Sequence, residues 1–120
     1  MTCIFFYGFN GYDKLDKAAL VAVHEQIGRA AGIAPETVEL HFAPFGFTVV
    51  RMDGAIEPPD IHGVHMFVEW HEGRDVMQKQ AIATALQTFL DVHHQGRGAD
   101  LTFRDSPRGE TFFLEGKLVA

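Results

Sequence analysis

One cysteine, Cys3, and one serine, Ser106, leave little covalent chemistry in this 120-residue chain. A single cysteine excludes an internal disulfide and fits a reducing, cytoplasmic setting. Read as a strand residue, Cys3 is a small buried hydrophobe before it is a nucleophile. Ser106 lies in a Pro/Arg/Gly stretch with no Gly-x-Ser-x-Gly elbow around it, and no glycine-rich phosphate loop follows a strand. Cations are also scarce, with 10 Lys and Arg against 16 Asp and Glu, for a net charge of −6. Phosphate neutralisation needs clustered basic residues, so no nucleic-acid partner is expected; the acidity serves solubility. No apolar run approaches the ~20 residues of a membrane span. The start has neither a basic n-region nor an apolar h-region, so no secretory signal is expected.

What the chain does have is apolar residues at 47%, charged residues at 22%, and eleven phenylalanines. That mix is globular, and the length suits a single domain over 1–120. So many phenylalanines do not all fit one layer between helices and a sheet; some are expected to line a pocket or a subunit interface.

Periodicity divides the chain into two similar halves, 1–60 and 61–120. Met1 to Phe9 reads as a strand that is apolar on both faces. Asp13 then caps a helix from Lys14 to Ala31, with Leu15, Ala19, Val23, Ile27 and Ala31 on one face and Gly32 as the stop. Thr37–Phe42 is the next strand, and Thr48–Met52 a short one. In the second half, Val64–Trp70 is a strand, Arg74 or Asp75 to about His94 a helix, and Ala99–Phe103 a strand. The helix buries Ile82, Ala85, Leu86, Phe89 and Leu90. A shift of 62 residues brings Phe6 onto Val68, Leu15 onto Met77, Ile27 onto Phe89 and Leu40 onto Thr102. Thr111–Val119 reads as a short final strand or hairpin.

Two strand–helix–strand units imply an α+β fold: a four-stranded mixed sheet, two helices on one face, and a short C-terminal hairpin. The bare sheet face is then expected to be an apolar patch that oligomerisation covers. A ferredoxin-like dimeric barrel shares the duplication and is the alternative fold.

Three segments also carry a resemblance: Ile4-Phe5-Phe6-Tyr7-Gly8-Phe9, Thr37-Val38-Glu39-Leu40, and Val68-Glu69-Trp70-His71-Glu72-Gly73-Arg74 running into Gln78-Lys79. With the tail Phe112-Phe113-Leu114-Glu115-Gly116, their order resembles the tautomerase superfamily, which includes 4-oxalocrotonate tautomerase and macrophage migration inhibitory factor. The likeness is greatest to an uncharacterised bacterial branch of it. The resemblance implies a homotrimer with a pocket between subunits near each N-terminus. It also implies cofactor-independent proton transfer on a small 2-oxo acid or enol carboxylate.

The family's base is a proline amine following the initiator methionine; here that position is Thr2. A secondary amine in an apolar pocket gives up its proton readily, because burial disfavours the charged form. Thr2 offers a primary amine and a hydroxyl instead, so activity is expected to be weak or atypical. A catalytically inactive small-ligand-binding or structural oligomer is the competing reading. Arg74 can hold a substrate carboxylate in a two-bond fork, or pair with Glu72 or Asp75 on the surface. Glu39 can pair with Arg74 or hold a subunit contact, Phe113 can wall the pocket, and Tyr7 is a further substrate-binding candidate. His41 and His71 can supply an acid or base, since histidine titrates near neutral pH. The seven histidines show no metal-ligand spacing with a third acidic partner, so no metal or cofactor is expected.

Overall fold

The computed structural model describes residues 2–9, 11–45, 48–57, 63–94 and 98–107. In chain order the elements are β1 (Thr2–Tyr7), α1 (Lys17–Ala31), β2 (Val38–Ala43), β3 (Val49–Val50), β4 (Ile56–Glu57), β5 (Val64–His71), α2 (Val76–His93) and β6 (Ala99–Ser106). Strands β2-β1-β5-β6 form one sheet, in which β1 and β5 run antiparallel and each outer pair runs parallel. The expected mixed four-stranded α+β sheet is therefore present. A ferredoxin-like arrangement would set another strand between the two strands of each unit. Here they are direct neighbours, so that alternative falls. No helix among the described residues is long and apolar enough to cross a membrane.

Alternation on the central strands decides which face is covered. Thr2, Ile4 and Phe6 on β1, and Val64, Met66, Val68 and Trp70 on β5, are buried. The apolar ones join Val23, Ile27 and Ala31 of α1 and Ile82, Leu86, Phe89 and Leu90 of α2 in one core. Each large apolar side chain there contributes roughly 1.5–3 kcal/mol by leaving water. Phe6, Phe9, Phe42 and Phe89 pack as a group, with Phe6 stacked on Phe42 at 4.9 Å and Phe9 5.6 Å from Phe89. Four phenylalanines thus do share the layer between sheet and helices.

The first helix begins later than its sequence suggests. Tyr12–Lys14 form a 3-10 turn, Leu15 is extended, and Asp16 rather than Asp13 caps α1, accepting from the Ala19 N–H at 2.7 Å. Gly32 closes it at φ 71, a left-handed conformation suited to glycine. Asp75 caps α2 in a reciprocal box with Gln78. The caps Asp16 and Asp75, like the buried pairs Val23/Ile82, Ile27/Leu86 and Ala31/Leu90, are 59 residues apart. One shift of 62 therefore fails for the helices, and the three residues of the early turn account for the difference. Met77 is exposed on α2, while Thr102 faces away from the core that Leu40 joins.

The bare face is not the apolar patch expected. Its register rows read Glu39–Cys3–Glu69–Arg104, then His41–Phe5–Phe67–Thr102, then Ala43–Tyr7–His65–Asp100. Aromatic rings occupy its centre, and ionisable side chains surround them. Val49–Val50 pairs with Ile56–Glu57, a return strand the sequence pattern did not suggest, and Arg51 forks onto Glu57 at 2.9 and 3.0 Å. β6 continues to Ser106, so that serine ends a strand. The expected hairpin at Thr111–Val119 lies outside the described residues.

Candidate functional site at the β5–α2 junction

β5 ends at His71, and the chain turns through Gly73 at φ 111 before Asp75 starts α2. Only glycine adopts that φ without strain, and its placement sets the direction in which Arg74 leaves the turn. The Arg74 guanidinium lies 5.2 Å from the centre of the Trp70 ring, and its Nη1 donates to the His71 carbonyl at 3.0 Å. Neither Glu72 nor Asp75 pairs with it among the described residues. A guanidinium has five N–H donors, so among the described residues this arrangement leaves most of them available to an anion.

Trp70 is itself anchored. Its Nε1–H donates to Asp105 Oδ1 at 2.6 Å, and Lys79 Nζ donates to Asp105 Oδ2 at 2.6 Å. The Lys79 hydrogen bond is the main reason the Asp105 carboxyl titrates below its usual range; the Trp70 bond and the nearby charges of Lys79 and Arg74 act in the same direction, against an opposing effect of burial. Trp70 also stacks on Phe103 at 5.4 Å. Nothing in the sequence pointed to this assembly. Trp70 and Asp105 are 35 positions apart and meet only because β5 and β6 are in parallel register.

Thr2 lies at this same end of the sheet. It pairs with Val38 on β2, and one step beyond the Cys3–Glu69 pair the antiparallel register sets it opposite Trp70. It is 1% exposed, and its hydroxyl has no hydrogen-bond partner among the described residues. His71 Nδ1 is likewise buried without a partner among them. Thr2, Trp70, His71 and Arg74 thus lie at one end of β1 and β5, with the His71 side chain alternating to the face opposite Trp70.

Glu39 and Tyr7 do not join them. Glu39 is on the bare face, where its Oε1 accepts from the Cys3 thiol at 3.7 Å and lies 3.1 Å from His41 Nε2. Trp70, which carries Arg74, is on the helix-covered face, so the expected Glu39–Arg74 pair does not form. Burial pushes the Cys3 thiol up, and the carboxylates of Glu39 and Glu69 on either side add to the shift. Cys3 is accordingly a half-buried, protonated thiol on the bare face. Tyr7 is five residues along β1 from Thr2, about 17 Å at strand rise. It meets Phe67 edge-on at 5.6 Å. With Phe5, Phe6, His41, Phe42 and Ala43 it lines a hollow of about 90 Å³. Phe113 lies outside the described residues.

No protein-family model matches the sequence, and no curated protein does. Solved structures do match over nearly the whole chain. Native fused 4-OT superposes with a TM-score of 0.68 at 21% identity, covering 96% of this chain and 94% of that one. The chain has the tautomerase fold. A macrophage migration inhibitory factor from Oncomelania hupensis gives a TM-score of 0.66 at 15% identity, over 94% of this chain and 79% of that one. A domain of unknown function from Sebaldella termitidis gives 0.65 at 14%, over 94% and 95%. Pt0534, solved after inactivation by 2-oxo-3-pentynoate, gives 0.62 at 20%, over 96% and 92%.

Proposed function

We propose that this chain is a tautomerase-like protein without the proline base, binding a small 2-oxo acid or enol carboxylate at the Thr2–Arg74 end of the sheet. The observation that carries the reading is Arg74, held over Trp70 with one hydrogen bond among the described residues and further donors to offer. A carboxylate accepts two parallel N–H bonds from such a fork. His71, whose backbone carbonyl accepts from Arg74, carries a buried Nδ1 with no partner among the described residues. In this reading the imidazole takes the enol O–H proton, a proton returns to the neighbouring carbon, and no cofactor or electron transfer is needed. Assembly as a homotrimer, bare faces inward, brings copies together at this end. Fused 4-OT, of the same fold, has been solved as a symmetric trimer.

The experiment is a thermal-shift and rate assay with phenylenolpyruvate on wild type, Arg74→Ala and His71→Asn. Wild type is expected to be stabilised by the ligand and to turn it over slowly. Arg74→Ala loses the stabilisation; His71→Asn keeps it and loses the turnover. Equal stabilisation of wild type and Arg74→Ala defeats the reading. Treatment with 2-oxo-3-pentynoate followed by peptide mapping locates any nucleophile at the site, since that 2-oxo acid inactivates Pt0534.

A second reading is binding without catalysis. Burial of the Thr2 side chain favours it, because a hydroxyl packed toward the core does not meet a ligand. Stabilisation by phenylenolpyruvate with no turnover in wild type selects it.

A further inference from the structure

We propose that Cys3, Glu39 and His41 form a binding site for a zinc-type divalent transition-metal ion on the bare face of the sheet. The inference does not rest on the tautomerase reading, since it uses none of the side chains that reading relies on.

The sheet itself assembles the three ligands. Cys3 and Glu39 are direct partners in the parallel β1–β2 register, and Glu39 and His41, two apart on one strand, project from the same face. Their ligand atoms all lie within 4.8 Å of one another. Cys3 Sγ is 3.7 Å from Glu39 Oε1, and that oxygen is 3.1 Å from His41 Nε2. A tetrahedral ion with bonds of about 2.0 Å to oxygen and nitrogen and 2.3 Å to sulfur separates its ligands by about 3.3–3.5 Å. Both separations are close to that range, and a small rotation of the Cys3 side chain brings its sulfur toward His41.

The donor set also selects the ion. Thiolate, imidazole and carboxylate together suit zinc and its neighbours, while magnesium and calcium prefer oxygen alone. The imidazole is already oriented, because Phe5 stacks on the His41 ring at 4.6 Å and 18°. In the single chain the His41 and Glu39 side chains are 44% and 46% exposed, so an ion can enter from solvent before the chains assemble. β2 is an edge strand, which puts the site at the rim of the face rather than at its aromatic centre. On the other side of Cys3, Glu69 Oε1 accepts from Arg104 Nη1 at 3.0 Å. With that carboxylate engaged, the fourth position is left to water or an added ligand. Binding expels the thiol proton to solvent and involves no redox change.

Cobalt titration tests the proposal directly. Cys3 is the only cysteine, so a thiolate-to-cobalt charge-transfer band reports this site alone. Reduced, metal-free protein is titrated with Co²⁺, then with Zn²⁺. Expected are the band and tetrahedral d–d absorption at one ion per chain, both displaced by zinc. Cys3→Ser abolishes the band. Glu39→Gln and His41→Ala each weaken cobalt binding at least about tenfold. His24→Ala, a change on α1, leaves it unchanged, and far-ultraviolet circular dichroism verifies that each variant is folded. Absence of the band in wild type overturns the site. So does a band that survives both Glu39→Gln and His41→Ala, or one lost equally in His24→Ala.

Discussion

Trp70 donates its indole N–H to Asp105 at 2.6 Å and carries the Arg74 guanidinium 5.2 Å from the centre of its ring. One side chain thus links the edge strand β6 to the turn that presents the anion-binding candidate. Trp70→Phe keeps an aromatic platform and removes the donor. A hydrogen bond to a charged group contributes about 1.5–3 kcal/mol, so denaturant unfolding should show a loss of about 2 kcal/mol. Ligand stabilisation should fall as well, because Arg74 loses its fixed seat. Unchanged stability would mean that the Trp70–Asp105 bond contributes nothing.

Acid should act on the same cluster. The Lys79 hydrogen bond, seconded by Trp70, holds the Asp105 carboxyl below the ordinary aspartate value of about 3.9. For a depressed carboxyl, the stabilisation is fully present above the ordinary value and disappears as pH falls through the lower, folded one. Wild type should therefore lose this contribution only below about pH 4. The pair is partly open to water, so the effect on stability is small and the titration itself is the better readout. Carboxyl-detected NMR of wild type and Lys79→Met should show the Asp105 midpoint rising in the variant. An identical midpoint in both removes Lys79 as the cause.

The bare face yields a prediction about assembly. Phe5 and Phe67 are register partners at its centre, with the Arg104 guanidinium 4.1 Å over Phe67 and bonded to Glu69. An aromatic centre with a charged surround is the usual make-up of a protein interface. Light scattering should give three times the 13.4 kDa of one chain, and Phe5→Asp should give single chains. A monodisperse monomer of wild type at micromolar concentration would remove the trimer and any pocket between subunits.

Much of the fold was legible because alternation and helical spacing are local. The buried set Ile82/Leu86/Phe89/Leu90 could be read directly from the sequence, whereas β1, apolar on both alternating sets, read as covered on both faces when only Thr2, Ile4 and Phe6 face the core. The start of α1 was not, because Asp13 and Asp16 are equally good caps and only the extended Leu15 between them decides. Arg74 was visible from its place before a helix. Its partners were not: Trp70–Asp105 and Cys3–Glu39 depend on which strands become neighbours, a property of topology. The charged character of the bare face was hidden for the same reason. Glu39, Glu69 and Arg104 look like scattered surface residues until register sets them in one row.

Thr2 gives a stability prediction of its own. A buried hydroxyl without a partner costs about 1–3 kcal/mol relative to a paired one. Valine has nearly the same shape and no polar group, so Thr2→Val should raise stability by about 1 kcal/mol in urea unfolding. A loss of similar size would show that the hydroxyl has a partner in solution.

Thr2→Pro carries the functional prediction. With proline in place of Thr2, removal of Met1 exposes a secondary amine at the head of β1, the group on which the tautomerase resemblance depends. A positioned general base contributes about 10²–10⁴-fold in rate, so its loss should account for most of the difference between this chain and an efficient tautomerase. The variant should gain phenylenolpyruvate tautomerisation by at least about tenfold over wild type, a conservative share of that range. Mass spectrometry of the terminus verifies that the proline is exposed. Adding Arg74→Ala to Thr2→Pro should remove the gain, because the carboxylate would lose the fork that orients it. If processed Thr2→Pro gains nothing while Arg74 still confers ligand stabilisation, the end of the sheet binds but does not catalyse. If wild type already matches the variant, a group other than a terminal proline moves the proton, and His71→Asn then tests one candidate.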